Sequence, residues 1–294
     1  MRFRWLVVCV WTCFLVRGWF YASMFPLWEG DDEFAHFGVI RAMAVQGLVL
    51  PPRDQRGPRD VPESLKLAPA PWEVRTWSVF QGSLPHEAYW KLTAEERRER
   101  QTKLQLMPAS WRLMNSDNGV SAYEALQPPL YYWLMTPVLR AVANSDLPGQ
   151  VILLRWISVA ITSLAIPLTF AIGRRAIQNE RAAFGCAAVV ALMPGLATDV
   201  ARLSNESVSI LLFSFLAWVG LKILAGERDT RNTVLLGLFL GLGLLTKAYF
   251  LTAVPAVLLL LVYAYGRKLT VGRSEHQGVS IVGTREAALL HVVL

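Results

Sequence analysis

The chain has 294 residues, of which 54% are hydrophobic and 17% charged, with a mean hydropathy of +0.36 and a formal net charge of +7. This is too apolar for an ordinary water-soluble domain, and runs such as 213–225 and 233–245 mark an integral membrane protein. The positive charge does not point to nucleic acid, because the Lys and Arg residues stand beside apolar segments, as orientation signals do.

In chain order, Met1-Arg-Phe-Arg precedes an apolar stretch that runs past Trp19, with no small-residue cleavage site before Asp31. It predicts an uncleaved helix over about 5–26 (first transmembrane unit, 1–28) with its N-terminus in the cytoplasm. Arg17 lies inside that helix, where a cation must face protein or water. Cys9 and Cys13 share one helix face, which reads as packing. With Cys186 they lack metal-site spacing and the pattern of a disulfide framework. Where the helix should leave the bilayer comes Glu29-Gly-Asp-Asp-Glu-Phe-Ala-His-Phe. Acids at such a boundary are uncommon and often mark ion or substrate chemistry. Asp31, Asp32, Glu33 and His36 are therefore candidates; the plainer reading is a solvated helix cap.

Residues 29–150 read as an extracytoplasmic loop with juxtamembrane helices on the membrane surface. Thr93-Ala-Glu-Glu predicts the N-cap of an amphipathic helix over about 93–106. Gln127-Pro-Pro-Leu-Tyr-Tyr-Trp-Leu is apolar but short, and Pro137 and Arg140 interrupt it. Further apolar segments run over about 151–172, 182–198, 207–225, 232–246 and 248–265, a bundle of about five helices within 151–266. Three basic loops alternate with loops poor in Lys and Arg: Arg174, Arg175 and Arg181; Lys222, Arg228 and Arg231; Arg267, Lys268 and Arg273. The positive-inside rule puts them in the cytoplasm, so 128–150 must be a re-entrant or juxtamembrane helix on the outer side. Residues 267–294 form a cytoplasmic segment that leads to a further apolar run at 287–294. The fold class is thus all-α, a polytopic transmembrane bundle of about six spans with a long first outer loop.

This topology gathers the acidic cluster, the Gln127 segment, the 194–206 loop and the Thr246-Lys247 turn on the outer face. If 194–206 is helical, Asp199, Arg202 and Glu206 share one side, either as a local salt bridge or with Glu206 or Asp199 in a cavity with Asp32. Lys247 either snorkels to the interface or binds an anion such as phosphate, and Arg155 has the same two readings. A metal, if one is used, would take Asp32 and His36.

The acidic pair Asp32-Glu33 followed by His36 and Arg41, the Pro-Pro-Leu-Tyr-Tyr segment after Gln127, and Leu245-Thr246-Lys247 resemble the GT-C membrane glycosyltransferases. The likeness is to the protein O-mannosyltransferase and aminoarabinose-transferase branch, and runs from about residue 20 to 265. Gln127 stands where some members have a basic residue or histidine, and Asn205-Glu206 is a loose match to the second acidic motif. Members usually have more spans and a C-terminal soluble region, so the chain reads as the N-terminal part of such an enzyme.

The resemblance implies transfer of a hexose or pentose from a polyprenyl-phosphate donor to a protein, lipid or glycan acceptor, at the outer face of the cell membrane, by inverting displacement. It gives Asp32 or Glu33 the catalytic base, and gives substrate binding to His36, Tyr131, Arg155, Arg202, Glu206 and Lys247. A divalent cation is compatible with this chemistry but not required by it. The alternatives are a polytopic transporter or flippase and a non-catalytic envelope subunit with a degenerate glycosyltransferase fold.

Overall fold

The computed structural model describes residues 2–25, 27, 32–47, 49–51, 90–106 and 123–275. Asp31, most of the first outer loop and the apolar run at 287–294 lie outside them. Among the described residues every regular element is helical, which makes this an all-α membrane bundle.

Helix α1 (Arg2–Met24) is the predicted first span, and it shows large apolar side chains such as Val16 and Phe20 on its outer side. A soluble protein does not carry so many exposed apolar groups on one element; a bilayer covers them. Cys9 and Cys13 stand on this exposed side and not in a packed seam, a correction to the expectation from their spacing. Arg17 donates to the carbonyls of Ala191, Leu192 and Met193 at 2.6, 3.5 and 3.4 Å. Those carbonyls end a helix, so the cation meets the negative pole of its dipole.

After α2 (Glu33–Gln46), helix α3 (Ala94–Leu106) starts at the predicted cap. Thr93 N–H donates to Glu96 Oε2 at 2.8 Å, and Glu96 N–H donates back to Thr93 Oγ1 at 3.2 Å. A 3-10 turn, Tyr123–Leu126, leads to α4 (Leu130–Ala141). Twelve residues rise only about 18 Å, well short of the roughly 30 Å hydrocarbon core. Arg140 of α4 donates to the carbonyls of Met43 and Ala44 and so ties the helix to the end of α2.

The long apolar segment 147–177 divides at Leu164 into α5 (Leu147–Ser163) and α6 (Ala165–Ile177). Helix α7 (Glu180–Leu192) returns against α6. Close approach is possible because Gly173 faces Ala183, whose Cα would lie 3.0 Å from a Cβ at the glycine. Pro194 then starts a separate short helix, α8 (Pro194–Asp199). Helices α9 (Glu206–Leu224), α10 (Thr230–Leu244) and α11 (Ala253–Glu275) complete the bundle. Helix α10 connects to α11 through a 3-10 turn, Ala248–Thr252.

By length and apolarity, four segments among the described residues qualify as spans: Phe3–Met24, Leu147–Ile177, Glu206–Leu224 and Ala248–Gly266. This is fewer than the six expected. The predicted 182–198 segment is split by Pro194, and α10 is apolar but has only 15 residues.

The basic loops collect at one end of the bundle. An Arg175–Glu227 ion pair joins the first to the second, and a 2.6 Å hydrogen bond between Thr233 and Tyr265 holds the starting end of α10 against α11 above the third. The Gln127 segment, the start of α9 and the Lys247 turn sit together at the opposite end.

Candidate active site at the end opposite the basic loops

The site begins with a buried ion pair. Glu33 opens α2, and Arg155 lies at the middle of α5. Arg155 Nε and Nη2 donate to the two Glu33 oxygens at 2.6 and 2.5 Å, and neither side chain is exposed. Arg155 Nη1 also donates to the carbonyls of Ala22 in the last turn of α1 and Phe25 just past it, and Glu33 Oε1 accepts from Leu203 N–H at 3.0 Å. A planar guanidinium suits this multiple role. The pair thereby fixes the exit of α1, the start of α2, α5 and the 200–205 turn.

Asn205 makes the second junction. Its amide donates to Gln127 Oε1 at 3.4 Å and to the Thr246 carbonyl at 3.2 Å, and Leu130 N–H donates to the Leu245 carbonyl at 2.8 Å. The Gln127-Pro-Pro segment and the Leu245-Thr246-Lys247 turn are therefore one unit. The turn keeps its shape because Phe250 packs flat on Gly243, where a Cβ would overlap the ring.

On this frame stand the charged groups. Asp32 is exposed at the N-cap position of α2, without a side-chain capping bond. Lys247 forms an ion pair with Glu206, the first residue of α9, and lies 5.7 Å from the Tyr249 ring centroid. His36, one turn into α2, is buried with its Nδ1 3.0 Å from the Tyr132 hydroxyl and 3.6 Å from Glu124 Oε2. Burial pushes His36 down to about 4, against the charge of Asp32 and with that of Lys247. Burial and then Asp32 push Glu124 up to about 7, opposed by Lys247 and Gln127. Two groups far apart in sequence, Asp32 and Lys247, thus act on the same two buried side chains. Burial also brings Arg41 down to about 10, which leaves it charged at neutral pH.

The predicted residues fall into three sets. Asp32, His36, Glu206 and Lys247 come together around this polar cluster. Glu33 and Arg155 pair with each other beneath it. Tyr131 is buried, with its hydroxyl 3.3 Å from Ser158 Oγ and its ring edge-on to His36; burial raises its pKa. Arg202 lies over the Phe25 ring at 5.3 Å.

The expected single helical face of Asp199, Arg202 and Glu206 is not formed. Helix α8 ends at Asp199, a turn spans 200–205, and Glu206 begins a new helix. Tyr132 and Asn205 appeared in the sequence only as parts of motifs, without a role of their own, and Glu124 was not singled out; its one signal was its place three residues before Gln127. Among the described residues no three His, Cys, Asp or Glu gather as a metal site. Along α9, α10 and α11 runs an open apolar groove of about 520 Å³, lined by residues that include Phe213, Gly220, Leu236 and Leu260.

The bundle thus gathers a carboxylate, a cation and a buried histidine at one end. Residues 126–283 match the family model of the dolichyl-phosphate-mannose-protein mannosyltransferases, and the chain belongs to that family. It is an integral membrane glycosyltransferase of the GT-C kind. No curated protein and no solved structure matches the chain.

Proposed function

We propose that the protein transfers a mannosyl group from a polyprenyl-phosphate donor to an acceptor hydroxyl at the extracytoplasmic face. The observation that carries the reading is the shared reach of Asp32 and Lys247 onto His36 and Glu124. It brings a carboxylate and a cation into one site, as displacement at a sugar phosphate requires.

In this reaction Asp32 takes the proton of the acceptor hydroxyl. The hydroxyl oxygen forms the new bond at the anomeric carbon as the bond to the phosphate oxygen breaks, and the electron pair leaves on the phosphate. Lys247, held by Glu206, offsets the charge that develops there. One base and direct displacement invert the anomeric centre. Glu33, with both oxygens engaged by Arg155, positions Asp32 and does not act as base. The apolar groove along α9 and α11 suits part of an isoprenoid chain. The three basic loops at the other end favour a cytoplasmic location for that end and an extracytoplasmic one for the site.

The test is consumption of polyprenyl-phosphate sugars, mannose first, by the purified protein. Asp32→Asn should lower turnover roughly 10²- to 10⁴-fold while leaving membrane insertion intact, since the side chain is exposed. Turnover within a few-fold of the parent would remove Asp32 from the mechanism. Flux of intact donor across proteoliposomes without product would favour a flippase instead.

A further inference from the structure

Glu124 has no task in the mechanism above, although it is only 6% exposed and its Oε2 lacks a hydrogen-bond partner. Its neighbours define what it does. The Tyr132 hydroxyl donates to the Glu124 carbonyl oxygen at 3.0 Å, and the same hydroxyl lies 3.0 Å from His36 Nδ1. A phenol has one proton and a carbonyl can only accept. With that proton committed to the carbonyl, Tyr132 meets His36 with a lone pair, so Nδ1 must carry the N–H. The same N–H faces Glu124 Oε2 at 3.6 Å. The opposite tautomer would turn the Tyr132 proton to Nδ1 and leave the Tyr132 oxygen against the Glu124 carbonyl, in a buried place where unpaired acceptors are costly.

Burial keeps the ring neutral at physiological pH. A neutral Nδ1–H imidazole carries its lone pair on Nε2. The polar side-chain contacts of His36 run through Nδ1, so Nε2 takes no partner among the described residues. Ring contacts with Tyr131 and Tyr132, each with centroids 5.9 Å away, hold the imidazole plane.

We propose that Glu124 and Tyr132 are positioning residues that fix His36 as the Nδ1–H tautomer, so that its Nε2 accepts a hydrogen bond from a substrate hydroxyl. A bare imidazole nitrogen selects hydroxyls and turns away phosphate oxygens, which are themselves acceptors. It therefore separates the two ends of the donor, leaving the phosphate to Lys247. The hydroxyl belongs either to the transferred sugar or to the acceptor. The inference rests on the glycosyl-transfer reading.

The test has two readouts. In protein labelled with ¹⁵N-histidine and held in detergent, long-range ¹H–¹⁵N correlation reports the tautomer of His36, assigned by its loss in His36→Asn. At about pH 8, above the range in which Glu124 holds its proton, the expected result is Nδ1–H in the wild type and a shift toward Nε2–H in Glu124→Gln, whose amide can donate to Nδ1. Kinetics supply the second readout, with polyprenyl-phosphate mannose as donor. Tyr132→Phe and Glu124→Gln should raise KM roughly threefold to tenfold for one substrate, with kcat less affected. A rise for the donor assigns the hydroxyl to the sugar, and a rise for the acceptor assigns it there. An Nε2–H tautomer in the wild type, or unchanged KM for both substrates in Glu124→Gln, overturns the proposal while leaving glycosyl transfer in place. A wild type that consumes no donor overturns the glycosyl-transfer reading and this inference with it, whatever the tautomer.

Discussion

Glu33 and Glu206 each open a helix and each meets a basic side chain brought from elsewhere in the chain, but water reaches the two pairs very differently. The Glu33–Arg155 side chains are 0% exposed, whereas Lys247 and Glu206 keep 26% and 38% of their side-chain surface in contact with the surroundings. The buried pair spends its hydrogen bonds on the protein: two carboxylate oxygens, the guanidinium, two carbonyls at the end of α1 and the Leu203 N–H. A group so engaged holds structure. The half-exposed pair keeps donors of its ammonium for a ligand. Identical formal charges thus serve as framework in one place and, in the mechanism proposed above, as chemistry in the other, with burial making the difference.

The strongest way to break this contrast is to remove one buried partner. Arg155→Ala leaves Glu33 as an uncompensated charge in a closed site, at a cost of about 3–5 kcal/mol. Thermal unfolding in detergent should show a large fall or outright loss of the folded protein. Glu33→Leu combined with Arg155→Met should be less damaging than Arg155→Ala alone, since no charge is then stranded. If Arg155→Ala melts like the parent, the pair is not the framework described.

Lys247→Ala probes the other pair. A partly exposed ion pair contributes about 0–1 kcal/mol, so stability should hardly change. Apparent donor affinity should fall by roughly tenfold, which is about 1.4 kcal/mol. Loss of stability with unchanged KM for the donor would put Lys247 in the same class as Arg155.

Little of this contrast was open to sequence reading. What was legible was local. The first span, the Thr93–Glu96 cap and the apolar runs of α9 and α11 follow from neighbouring residues. The gathering of basic loops at one end follows from a rule about short loops. Asp32 and Glu33 look alike in the sequence, yet one is exposed and the other sealed. The difference is made by Arg155, 122 positions away, and no periodicity announces such a partner. The supposed face of Asp199, Arg202 and Glu206 failed because Pro194 begins a new short helix that stops at Asp199. Glu124 carried no helical or motif signal of its own; only the packing of α2 against α4 and the turn before it gives that carboxyl a histidine.

The smallest expected effect sharpens the comparison by asking about a third glutamate, one that is buried without a full ion pair. Glu124 is raised from 4.5 to about 7 by burial first and by Asp32 second, with Lys247 and Gln127 pulling the other way. Its protonated form is favoured by the fold, so its contribution to stability is complete below about 4.5 and is lost as pH rises through about 7. His36 has the opposite sign. Lowered from 6.5 to about 4, it contributes fully above 6.5 and loses that contribution as pH falls toward 4. Between about pH 5 and 6.5 the two opposite slopes largely cancel, so the wild type should unfold at a nearly constant temperature there. Glu124→Gln removes one of them and should leave stability rising from about pH 5 to about 6.5, the limb of His36 alone. A wild type that already shows this rise would mean that Glu124 is ionised in the fold, and that burial next to His36 does not keep its proton.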